Sequence, residues 1–234
     1  MFKADIDNLG LIFSSGLGSR VSFSRVAQLS ETLNQFFTHT YYEFVENHNF
    51  YKDKIYTIFS GGDDLCLLGA WDAVIEFASE FHKKFEEFMN KNPSITMSAG
   101  IVLVNNKLPI KIIARETEVS LEKSKNAPNK NSITVFDTTV SWSELDNQIE
   151  KAKELKNYLD SEKVSLGSVY KMISFAEREK NKDYLYLSNS TYMIARNIKD
   201  ENAKKLFLDL RDNIRESRIA ISYALYTQRS KNES

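Results

Sequence analysis

Cysteine occurs once in this chain, at position 66, which excludes a disulfide framework and a cysteine-rich zinc site and points to a reducing, cytoplasmic setting. Lying within the apolar "DLCLLG", Cys66 is expected to be a small core residue. Histidine is nearly as scarce: His39, His48 and His82 fall on expected helices or a loop, where structural or solvated roles are the expectation. No apolar run approaches the ~20 residues that span a bilayer, so no membrane partner is expected. The opening "MFKADIDNLG" lacks a signal-peptide layout and enters a strand at once, which suggests the downstream part of something longer. Charge of one sign is missing too. Against 31 Lys+Arg stand 32 Asp+Glu, so the chain is no polycation built to coat nucleic acid. Helix breakers run out partway along: all three prolines, and every glycine but Gly167, precede residue 129. That shift places a domain boundary near residue 140, giving domains of 1–140 and 141–234.

What is present divides the same way. Before the boundary, "FKADI" reads as a strand, and apolar residues from Val26 to Phe44 recur at three and four, as on an amphipathic helix. "KIYTIFS" and "DLCLLG" form a hairpin whose turn is read at Gly-Gly. A phenylalanine-rich helix over "WDAVIEFASEFHKKFEEFMNK" follows, then a strand in "SITMSAGIVLV", a helix from Pro109 to about Asn126, and a closing strand, "NSITVFD". Helices covering one face of a mostly antiparallel sheet give an α+β, ferredoxin-like layout. After the boundary, four stretches with helical stripes predict an all-α bundle. Tyr184, Tyr186 and Tyr192 look exposed there and hint at a protein contact face.

The chemistry gathers in two acidic pairs. "SGGDD" sets Asp63 and Asp64 side by side at a hairpin apex, where like charges repel unless a cation neutralises them or one stays protonated. "ADIDNLG" sets Asp5 and Asp7 on one face of a strand. Should that strand lie beside the hairpin, Asp5 and Asp63, with or without Asp64, converge at one end of the sheet. Oxygen ligands without cysteine or histidine favour Mg²⁺ or Mn²⁺. Such ions bind phosphates, which implies a nucleoside triphosphate, and two of them ~4 Å apart would serve an attacking hydroxyl and a leaving pyrophosphate. "SGLGSR" completes neither GxGxxG nor GxxxxGK[ST] and reads as a loop near the site.

"SGGDD" between two strands, preceded by "DIDNLG" and followed by "SAGIVLV" and "LEKSKN", resembles the GGDEF/palm superfamily of cyclases and polymerases. "KADIDNLGLIF", "SRVAQLSETLNQFF" and "IFSGGDDLCLLG" are more closely similar to the second palm domain of the large subunit of type III-A CRISPR (Csm) complexes, and the helical tail to that subunit's C-terminal domain. The resemblance implies synthesis of cyclic oligoadenylates from ATP on target-RNA recognition. It implies Asp5, Asp63 and Asp64 as metal-binding carboxylates, Asp63 and Asp64 being the catalytic motif pair, with Ile6 contributing through its backbone. Lys125 would face the triphosphate, while Ser60, Gly61 and Gly62 would let the backbone approach the nucleotide. Implied partners are the small helical subunits, the crRNA-end-binding subunit, crRNA and target RNA, and the first palm domain. That domain, the family's histidine–aspartate nuclease and its zinc-binding insertion are not visible in this sequence, so the chain is expected to be a fragment or split subunit with no DNase activity of its own. Two alternatives stand beside this reading. One is a diguanylate cyclase, opposed by Asp64-Leu65 in place of Glu-Phe and by the lack of an RxxD motif before the glycines. The other is a catalytically silent palm kept as an assembly scaffold, opposed by two intact acidic pairs.

Overall fold

The computed structural model describes residues 1–16, 22–105 and 107–233, and most of "SGLGSR" lies outside them. The chain forms two compact units, Met1–Trp142 and Ser143–Ser234. In the first, the elements run β1 (Phe2–Ile6), α1 (Leu9–Leu11), α2 (Phe23–Gln35), α3 (Tyr41–Asn47), α4 (Asn49–Lys52), β2 (Ile55–Gly61), β3 (Asp64–Gly69), α5 (Trp71–Phe88), β4 (Met97–Ile101), α6 (Ile110–Lys125), β5 (Ser132–Val135) and β6 (Thr138–Ser141). One sheet holds all six strands in the order β2-β3-β1-β4-β5-β6, every pair antiparallel except β4–β5. Its first four strands keep the ferredoxin-like order, and α6 carries the chain across to β5, as a parallel neighbour requires.

Alternation along β1 separates two chemistries. Phe2, Ala4 and Ile6 are buried, with the Phe2 ring 5.8 Å from Phe77 of α5, edge to face. That side holds an aromatic core of Phe36, Phe37, Tyr41, Phe77, Phe81 and Phe85, none more than 1% exposed. Phe77 and Phe81 stack at 5.2 Å, and such ring pairs add about 0.5–1.5 kcal/mol beyond their burial. Lys3 and Asp5 point the other way and meet α6, Lys3 through an ion pair to Glu118 at 2.6 Å and Asp5 through Lys125. Helices therefore cover both faces, not one as the sequence reading expects. The buried side of α6 is half polar, with Thr117, Ser120 and Ser124 beside Ile113 and Leu121, so an apolar stripe marks its face poorly. Gly100 of β4 is what lets it approach: a Cβ there would lie 2.4 Å from the Leu121 nitrogen.

Two further differences lie in the turns. Phe136 and Asp137, with φ of 50° and 63°, turn the chain inside the expected strand "NSITVFD" and make β5 and β6 a hairpin. Left-handed phenylalanine is rare at such a position, so no turn signal shows in the sequence. Between α2 and α3, Phe36–Thr40 is a π-helical segment within what reads as one continuous helix.

The described residues of the second unit form five helices rather than four: α7 (Trp142–Asp160, which begins one residue before this unit), α8 (Leu166–Lys180), α9 (Leu185–Asn197), α10 (Glu201–Asp212) and α11 (Ile214–Glu233). Asn213, at φ −117° and ψ 41°, splits the last expected helix, and Asp200 caps α10 by accepting from the Ala203 nitrogen at 2.9 Å. Ion pairs Lys151–Asp209 (2.6 Å) and Arg218–Glu177 (2.7 Å) tie helices together. Tyr184 and Tyr192 are exposed, whereas Tyr186 is buried, correcting one of the three surface tyrosines.

Candidate metal and nucleotide site

Pairing of Gly61 with Asp64 closes the β2–β3 hairpin around a two-residue loop, Gly62-Asp63, so the turn sits one residue later than Gly-Gly. Gly62 has φ 66° and Asp63 does not share it, the pattern of a type II′ turn, which requires glycine first. The π-helical segment and the turn of helix before it brace the loop. Ser60 Oγ donates to the Phe37 carbonyl, and the Gly62 N–H donates to Asn34 Oδ1 at 3.3 Å. Asn34 went unnoticed in the sequence, where an asparagine inside a helical stripe carries no signal of a distant hairpin. Among the described residues, a Cβ at Gly61 would meet only Thr38 Cγ2 at 4.0 Å, and one at Gly62 nothing within 4 Å, so they leave this backbone uncovered.

Register decides the rest. Asp5 of β1 lies directly across from Asp64 of β3. Carboxylate oxygens of Asp5, Asp63 and Asp64 all lie within 4.8 Å of one another, each residue partly exposed. Burial, then the charge of Asp5 and a hydrogen bond with it, then Asp63, push the Asp64 carboxyl up to about 6, with Lys3 opposing. Lys125 at the end of α6 donates to Asp5 Oδ2. Burial works against its ammonium charge, but the bond to Asp5 and that carboxylate's charge outweigh it and hold the lysine above its ordinary pKa. Ile6 is buried and pairs with Met97 of β4, while the β1–β3 register stops at Asp5. Three carboxylates this close are hard oxygen donors that fit Mg²⁺ or Mn²⁺, whose charge would relieve the crowding felt at Asp64.

Asp7, the second carboxylate of strand one, stays outside the cluster. It is 1% exposed and accepts from Thr96 Oγ1 (2.8 Å), Ser98 Oγ (2.8 Å) and the Asn131 N–H (3.0 Å). No histidine is in the cluster either: His82 is buried and stacked on Trp142 at 4.2 Å, and His48 stacks on Tyr51 at 4.1 Å. Cys66 is not a core residue. It faces α6 beside Lys3, partly exposed, while Leu65 and Leu67 take the buried side; burial pushes its thiol up.

Residues 1–134 match the family model for the second palm domain of Cas10/Cmr2. The CRISPR system single-strand-specific deoxyribonuclease Cas10/Csm1 (subtype III-A) of Methanocaldococcus jannaschii is 37% identical over 207 residues, covering 77% of this chain and 26% of that protein. Its counterpart in Enterococcus italicus is 35% identical over 215 residues, covering 88% and 27%. The chain thus spans about a quarter of the length of these curated relatives. Among solved structures, a Csm1–Csm4 cassette in complex with pppApApA has a TM-score of 0.75 at 18% identity, covering 96% of this chain and 36% of that one. Csm1 of T. onnurineus gives 0.67 at 17% identity, with 97% and 36% covered. With a family model over more than half its length, and the fold of its neighbours along almost all of it, this chain belongs to the Cas10/Csm1 family of type III-A CRISPR large subunits, as a second palm domain followed by a helical domain.

Proposed function

We propose that this chain is the ATP-binding palm with which a type III-A CRISPR effector makes cyclic oligoadenylate. The observation that carries the reading is the convergence of Asp5, Asp63 and Asp64 within 4.8 Å, in a chain of this family. Solved relatives support it: Csm1–Csm4 cassettes are known in complex with one ATP, AMPPNP, cA3 and cA4. Asp5, Asp63 and Asp64, with the Ile6 backbone, would hold Mg²⁺ or Mn²⁺. When bound, the metal supplies charge neutralisation for the polyphosphate and lowers the pKa of a coordinated hydroxyl. Lys125, already inside the acidic cluster, meets the triphosphate. Ser60 fixes the hairpin against Phe37, and the uncovered backbone at Gly61 and Gly62 lets the nucleotide come close. The helical unit, with 17 Lys+Arg and 15 Asp+Glu from Ser141 onward, suits docking on protein subunits of the complex more than bare RNA. Csm4, crRNA and target RNA are the further partners this reading assigns.

The test is a thermal-shift series with ATP and Mn²⁺. At about a hundred times Kd, a ligand specific for the folded state stabilises by ~2.7 kcal/mol, or roughly 5–10 °C for a domain of this size. Replacing both Asp63 and Asp64 by alanine should abolish the rise. A shift that survives the double variant places the nucleotide elsewhere.

A further inference from the structure

A buried carboxylate set apart from the acidic cluster needs an explanation, because taking its charge out of water is costly. Asp7 is such a group. Among the described residues its three donors are all neutral, and they come from two segments: Thr96 and Ser98 at the start of β4, and the Asn131 backbone just before β5. Its own N–H donates to the Thr96 carbonyl at 2.8 Å, so backbone and side chain are both anchored. Next to it, Asn8 turns left-handed at φ 56° and its Oδ1 accepts from Lys130 Nζ at 2.6 Å. Asn131, left-handed at φ 41°, also bonds His82 Nε2 through Oδ1 at 3.1 Å. Asparagine takes this conformation more readily than other non-glycine residues, and here both are tied down by their side-chain bonds.

The two segments this clamp joins lead to the acidic cluster. Asp5 lies on β1, two residues before Asp7, and Lys125 closes α6 at the head of the loop that ends at Asn131. We infer that Asp7 is a positioning residue for the metal site, locking the exit of β1 to the α6–β5 loop so that Asp5 and Lys125 meet in register with Asp64. The inference rests on the metal-site reading above and extends it to a residue that would touch neither metal nor nucleotide. The test is Mn²⁺ binding to the full chain with a non-hydrolysable ATP analogue, read from the free-Mn²⁺ paramagnetic resonance signal, alongside melting in EDTA. Loss of an outer-sphere support typically weakens metal binding about 10–100-fold, and Asp7→Ala should fall in that range. Asp7→Asn keeps the shape and can still accept from Thr96 and Asn131, so it should recover most of the affinity. Should Asp7→Ala fail to fold, Thr96→Val and Ser98→Ala each remove one donor and should give smaller losses of the same kind. Variants that fold, melt lower in EDTA and yet bind Mn²⁺ as the wild type does would overturn the inference alone. A wild-type chain that binds no Mn²⁺ with the nucleotide would overturn the metal-site reading as well.

Discussion

At the scale of single residues, Asp64 carries the site's electrostatic conflict. Its carboxyl is raised to about 6 from an ordinary 3.8, so between those values the folded metal-free protein holds a proton that the unfolded chain has released. Stability therefore falls as pH rises from about 4 through 6, and above 6 the charged carboxylate opposes folding in full. Metal binding runs the other way, since a ligating carboxylate must be deprotonated. Asp64→Asn should then be as stable as the wild type near pH 4 in EDTA, and more stable, by a few degrees in Tm, near pH 7. With Mn²⁺ and ATP at pH 7 the order should reverse. Equal pH profiles for the two proteins in EDTA would show that folding does not raise the Asp64 carboxyl by burial and by the charge of Asp5.

At the scale of elements, the decisive contact is α6 against β4. Gly100 allows it, and a methyl group there would meet backbone at 2.4 and 2.7 Å rather than the end of a side chain able to swing aside. Ser124 Oγ completes the contact by donating to the Ala99 carbonyl at 2.6 Å, one residue before Lys125. Gly100→Ala should destabilise the first unit by about 1–3 kcal/mol or more, measured by urea titration. Because helix and sheet must part, it should also weaken the ATP and Mn²⁺ thermal shift, although no atom of Gly100 is in the site. Gly10 is the contrast: no described residue lies within 4 Å of its added Cβ, so no clash of this kind arises with them.

At the scale of the whole molecule, the chain spans about a quarter of its curated relatives, and cyclic product needs an acceptor 3′-hydroxyl held in line with the donor's α-phosphate. Positioning of that kind is worth several kcal/mol of barrier, about 7–11 in the best cases. One palm offers one acidic cluster among its described residues. The isolated chain should bind ATP and make little cyclic oligoadenylate. Supplying a first palm domain, in trans or by fusion, should restore synthesis that still depends on Asp63 and Asp64, as chromatography of the products would show. Abundant cyclic product from the chain alone would mean that it builds a complete site by itself.

Local physics wrote much of this protein plainly. The apolar–polar alternation of β1, the stripes of the helices and the glycine-led turn beside two carboxylates depend on neighbours a few residues away, and all are legible in the sequence. So is the change from a mixed sheet unit to a helical one, because helix breakers vanish where the sheet ends. Register is a different matter. That Asp5 faces Asp64, while Asp7 turns to Thr96, Ser98 and Asn131, depends on segments remote in sequence, and alternation alone puts both aspartates on the same face. Asn34 beneath the hairpin, α6 on the second face and the turn at Phe136 were hidden for the same reason. Each is favourable only once the partner segment has arrived, and periodicity within one segment carries no record of what packs against it.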